Sequence, residues 1–192
     1  MKRVLTLLAA MLLLGVTVGC GGDDEPSDQA AATPSASPFD RAFIDAMVPH
    51  HRSAIEMAEA AKSRGLRSME LKQIADDIIS SQQQEIDKML AWREQWFGSR
   101  TLGRNAAEVL GLSESQMGMM EHDADEISGA VDVDQAFAQA MSPHHEGAIT
   151  MAKLAQERGQ HEEIKTLADD IIEAQEGEIK ILQKHTGGEH HG

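Results

Sequence analysis

The chain has 192 residues, a length that suits one ordinary domain with appendages, and carries a formal net charge of -15 with 32 acidic against 17 basic residues. So acidic a surface repels phosphate backbones and argues against nucleic acid as a partner. A single cysteine rules out an intrachain disulfide, so stability has to come from a core or from bound metal.

Lys2 and Arg3 precede an apolar run over residues 4–14, and small residues then lead to Cys20. A charged start, an apolar stretch too short to span a bilayer and a processing site make residues 1–19 a signal peptide. Thr17, Val18, Gly19 and Cys20 resemble a lipobox, with Thr17 where such motifs usually carry Leu. The expectation is that Cys20 is acylated and anchors the mature protein to the outer face of a membrane or in the periplasm. An ordinary secretory signal with an incidental cysteine is the alternative, and it too exports the chain. Residues 20–38 are rich in Gly, Asp, Ser, Ala and Pro without apolar period, which predicts a disordered tether.

An internal repeat follows. Phe43, Met47, Pro49, His50 and His51 recur as Phe137, Met141, Pro143, His144 and His145. Ala54, Met57, Ala58 and Gly65 recur as Ala148, Met151, Ala152 and Gly159. After the glycine the offset changes by one, and Asp76, Ile78, Gln82, Glu85 and Ile86 match Asp169, Ile171, Gln175, Glu178 and Ile179. Each copy reads as helix, Gly-containing turn, helix: 39–63 and 68–97, then 132–157 and 161–185. The spacing predicts an all-α four-helix bundle over residues 39–186, built from two hairpins (39–98 and 132–186) whose long connection is compatible with a ferritin-like crossover. The connection, 99–131, is long enough for a crossover, and a short helix is expected over 105–110. A His-containing tail, 187–192, closes the chain.

On a helical wheel Phe43, Met47, Ala54, Ala58 and Ala61 centre the buried face of the first helix, with His50 and His51 on either side and Met57 on the flank of His50. One such His is usually a satisfied core residue, and one such Met is usually packing. Two adjacent imidazoles on an inward face demand partners for their ring nitrogens. Pro49 and Pro143 either kink a continuous helix just before each His pair or start a new helical segment there. On the second helix Gln82 and Glu85 fall within a face marked by Leu71, Ile74, Ile78, Met89 and Trp92, and Gln175 and Glu178 repeat them. A buried carboxylate needs a partner, so an interior layer of His, Gln and Glu is expected, either a structural network or a metal site. In the connection Met117, Met119, Met120 and His122 form a second cluster that reads as exposed, suited to copper(I) or silver(I), with an apolar lid as the alternative. His185, His190 and His191 add a weak, unspecific metal-binding tail.

The doubled His-His motif resembles the signature of the domain of unknown function 305 family, as do Met117 to Met120, Gln82 with Glu85 and Ile86, and Trp92. The resemblance runs from Phe39 to Thr186. It implies a ferritin-like fold of paired-helix repeats, export in bacteria and, for some members, copper binding and tolerance. Carried onto this sequence, the implied ligands are Met47, His50, His51 and Met57, then Met141, His144, His145 and Met151, with Gln82, Glu85, Gln175 and Glu178 as outer partners. Di-iron carboxylate bundles need Glu-x-x-His on two helices, and neither inward pair here offers it, which disfavours ferroxidase chemistry. The expected function is therefore non-catalytic binding of a soft transition metal, copper first, for sequestration or handover. A metal-dependent oxidoreductase and an interaction module with a purely structural His-Glu layer are the rivals.

Overall fold

The computed structural model describes residues 37–119 and 123–187. The expected signal peptide, Cys20, the expected tether before Ser37, Met120, His122, His190 and His191 lie outside the described residues. Four long helices carry the fold: α1 (Pro38–Arg64), α2 (Met69–Phe97), α5 (Val133–Arg158) and α6 (Glu162–Leu182). Between the hairpins lie two short ones, α3 (Ala106–Leu110) and α4 (Asp123–Gly129), and a 3-10 turn over Gln183–His185 follows α6.

The helix ends follow from local chemistry. Ser37 accepts a hydrogen bond from the Asp40 backbone N–H at 3.2 Å, and Pro38, expected in the tether, occupies the first helical position, where its missing N–H costs nothing. Ser68 and Asp132 cap α2 and α5 in the same way. Gly65 ends α1 at φ 91°, a left-handed conformation that a β-carbon disfavours. Pro49 and Pro143 lie within α1 and α5, each of which runs on past its proline, so neither residue begins a new helix.

α1 packs on α2 and α5 on α6, and the two hairpins meet chiefly along α1 and α5, while α2 and α6 flank this seam. The hairpins are tied crosswise at their ends. Asp40 near the start of α1 accepts the backbone N–H groups of Gln160 and His161 ahead of α6. Asp134 near the start of α5 accepts those of Arg67 and Ser68 ahead of α2. Each repeat thus holds the entry of the other's second helix, and α1 runs antiparallel to α5. The chain leaves α2 at one end of the bundle and enters α5 at the other, which is why the connection is long.

The buried apolar residues fall into two clusters. One gathers Phe43, Met47, Met89, Met151 and Ile164, and the other gathers Met57, Ile78, Phe137, Met141 and Leu182. Every long helix contributes to both clusters. The change from one to the other falls at His50 and His51 on α1, at Gln82 and Glu85 on α2, and at the matching positions of α5 and α6. A polar layer therefore divides the core.

Candidate metal centre

Proline fixes the backbone just before each His pair, and the helix carries both imidazoles of each pair into the α1–α5 seam. His50, His51, His144 and His145 are all buried, none more than 1 % exposed. The His50 and His144 rings come from opposite repeats and lie face to face, centroids 3.7 Å apart and planes tilted by 34°. His51 Nε2 meets Glu85 Oε2 at 2.6 Å, and His145 Nε2 meets Glu178 Oε2 at 2.5 Å. A neutral ring that donates through Nε2 keeps its lone pair on Nδ1, and in both residues Nδ1 is buried without a partner. The glutamates are not enclosed in the middle of the face. Their side chains are 16 % and 17 % exposed, because the long stem lets the carboxylate reach in from the flank while part of it stays in water.

The remaining members are less satisfied still. Both ring nitrogens of His50 and of His144 lack hydrogen-bond partners, as do the side-chain carbonyl oxygens of buried Gln82 and Gln175. Together these make eight buried polar atoms without partners among the described residues, in two repeat-related sets of four. Burial, then the positive charge that His51 and His145 would carry, lowers the His50 pKa from 6.5 to about 3. The backbone of Met117 and His144 offsets part of that shift without reaching hydrogen-bonding geometry. Burial and its neighbouring imidazoles likewise hold His144 well below the usual histidine range. These two rings are neutral at physiological pH, the form that offers a lone pair to a metal.

The thioethers are sorted differently from their order in sequence. Met47 of the first repeat shares a cluster with Met151 of the second, and Met57 shares the other with Met141. Each side of the layer thus receives one motif methionine from each repeat. The connection cluster was expected to be exposed, but Met117 is buried at 7 % and packs into the Met47–Met151 side, with Met119 half-buried against it. The cause is close approach. A β-carbon on Gly147 would overlap the Met117 carbonyl, and one on Gly118 (φ 70°) would come within 2.6 Å of the Pro143 carbonyl oxygen. These glycines let the strap lie directly on α5 beside His144. Met117, Met119 and Met151 then line one cavity of about 330 Å³ with Asp45, Pro49 and Glu114. His185 is remote, at the other end of the bundle, within 3.3 Å of Glu70.

Two buried groups had no signal in the sequence reading. Arg93, 1 % exposed, donates to Asp45 Oδ1 at 2.7 Å and to the Ser99 carbonyl. His161 meets Asp40 through Nδ1 at 2.5 Å and stacks on Trp96. Neither has a counterpart in the other repeat, so the periodicity that exposed the His layer could not mark them.

Donor type favours a soft or borderline ion here, since imidazole and thioether dominate and carboxylates stay at the flank. Among the described residues no three His, Cys, Asp or Glu side chains converge as a ready ligand set. An ion in this layer would draw on the thioethers or turn the imidazoles. Fold and site together define a duplicated-hairpin, all-α bundle whose two halves bring paired histidines to one internal layer. The chain belongs to the DUF305 family, a domain of unknown function, whose model matches residues 40–186. It is similar to CopM in the Cu(I)-bound form at 34% identity and TM-score 0.63, covering 76% of this chain and 93% of that one. CopM in the Ag-bound form by co-crystallization gives 34% and 0.62, with the same coverage. A DUF305 protein from Streptomyces coelicolor shares the fold at 24% identity and TM-score 0.71, covering 82% and 99% of the two chains. An uncharacterized protein, L153, of Acanthamoeba polyphaga mimivirus is 42% identical over 50 residues, 26% of this chain and 32% of that protein. The chain thus matches about a third of the length of that curated relative.

Proposed function

We propose that this protein is an exported lipoprotein that binds a soft transition metal, copper foremost, and holds it for sequestration or handover. Its ligands in this reading are His50, His51, His144 and His145, joined by Met47, Met57, Met141 and Met151. Glu85 and Glu178 fix the tautomer of the outer imidazoles, and Gln82 and Gln175 lie in the same layer. The observation that carries the reading is the set of eight buried, unpartnered nitrogens and oxygens at the centre of the core. Leaving such groups unmade costs about 1–3 kcal/mol each, and a bound cation removes much of that cost. Similarity to CopM, solved in Cu(I)-, Cu(II)- and Ag-bound forms, supports the choice of metal. The cavity lined by Met117, Met119 and Met151 supports additional thioether donors for monovalent ions on one side of the layer. The lipid anchor at Cys20 rests on the signal sequence.

The test is a titration of tag-free protein with copper(I) and copper(II) against competing chelators, beside thermal melts without metal. His50→Ala with His144→Ala should weaken binding of both ions by more than about a hundredfold, beyond the roughly 10–100-fold that loss of a ligand's outer hydrogen-bond partner costs. Met117→Leu with Met119→Leu should weaken copper(I) alone, because only the thioether-preferring ion loses donors. Histidine variants that bind both ions like the wild type while melting lower would identify the layer as structural.

A further inference from the structure

A groove of about 780 Å³ runs between the end of α2 and the start of α6, far along the bundle axis from His185 and formed by residues of no part in the His layer. Its floor is a row of three parallel rings. His161 stacks on Trp96 with centroids 3.8 Å apart and planes within 10°, and Trp96 lies against Trp92 at 5.5 Å and 7°. Asp40 makes this floor rigid by accepting from the His161 ring and from the two backbone N–H groups beside it. Both indoles remain half-buried at the groove.

The rim is acidic. Glu162 is paired with Lys165 at 2.9 Å, but Glu163 and Asp170 form no ion pair among the described residues. Lys88 is the one lysine or arginine that lines the groove. The cation–π contacts among the described residues, Arg93 over Phe97 and Arg158 over Phe39, leave both tryptophans unused.

We propose that this groove docks an arginine-bearing segment of a partner protein. A guanidinium is flat and weakly hydrated, stacks on an indole face and offers paired N–H donors to a carboxylate, so Trp92 with Glu163 and Asp170 matches it in shape and charge. A lysine ammonium is a compact, strongly hydrated charge and gains less from such a surface. The net charge of -15 draws cationic partners to the molecule, and the aromatic floor selects among them.

Trp92 and Trp96 are the two tryptophans of the chain, so its entire indole fluorescence comes from this groove. The experiment titrates metal-free protein with acetyl-Arg-Gly-Arg-amide and with the matched Lys peptide, at low and physiological salt. The Arg peptide should give a saturable spectral change, and the Lys peptide should bind about tenfold more weakly. Glu163→Gln with Asp170→Asn, both surface positions that leave the floor intact, should weaken the Arg peptide at least about fivefold. Trp92→Leu should abolish the saturable response still reported by Trp96, while His50→Ala with His144→Ala should leave it unchanged. A response that does not saturate, that is equal for both peptides, or that survives the Glu163 and Asp170 changes would overturn the proposal.

Discussion

Gly147 shows how one missing β-carbon shapes the site. It sits one turn past Pro143, and the Met117 backbone lies where its β-carbon would be. In the matching position of the first repeat stands Ser53, which is half-buried, so only the second repeat opens a seat for the strap. Because backbone rather than a flexible side chain occupies that space, neither partner can give cheaply. Gly147→Ala is therefore expected to destabilise the fold by about 1–3 kcal/mol, the range for overpacking, and to lift residues 113–119 from α5. Thermal melts with hydrogen exchange read both effects. A variant that melts like the wild type and keeps the strap protected would show the contact to be loose.

At the scale of the helix, α1 and α5 each combine a proline, two buried imidazoles and an apolar face that changes cluster at the imidazoles. The change has a cost that depends on pH. His50 stays neutral in the folded protein down to about pH 3, whereas in the unfolded chain it takes up a proton near 6.5. Below 6.5 the unfolded state binds more protons, so folding stability falls as pH falls, and it is fully present above 6.5. His144 is shifted in the same direction for the same reason and adds to the effect. Between pH 7.5 and 5.5 the metal-free protein should lose about 1–3 kcal/mol, nearly all of it below 6.5, where each of the two histidines contributes up to about 1.4 kcal/mol per pH unit. Urea melts across the range test this, and His50→Gln with His144→Gln should flatten the slope. A wild-type profile level from 6.5 to 5.5 would show that these rings are protonated in the fold.

At the scale of the molecule the two repeats are held by reciprocal ties, Asp40 on the turn before α6 and Asp134 on the turn before α2. Asp40 is fully buried, and its removal also frees His161, so the ties are unequal despite the duplication. Asp40→Asn should cost about 2–4 kcal/mol, a charged acceptor lost from a buried network, and Asp134→Asn about 1–2 kcal/mol. The sites lie at opposite ends of the bundle, so the double variant should show the sum within about 0.5 kcal/mol. Equal costs for the two single variants, measured by urea unfolding, would mean that the His161 contact adds nothing.

The sequence by itself determined what local periodicity and duplication can encode. Helical spacing marked four long helices, their inward faces and their starts within a residue or two, and the repeat singled out His50, His51, Gln82 and Glu85 with their partners. Those features depend on neighbours within one or two turns, or on identity between copies. Only the tertiary structure decided which groups meet. Antiparallel packing of α1 on α5 stacks His50 on His144 and puts Met47 with Met151 rather than with Met57. The seating of Met117 on Gly147 and the stack of His161 between Asp40 and Trp96 join residues 30 to 121 positions apart. Such contacts arise where surfaces fit, and no pattern along the chain records that fit.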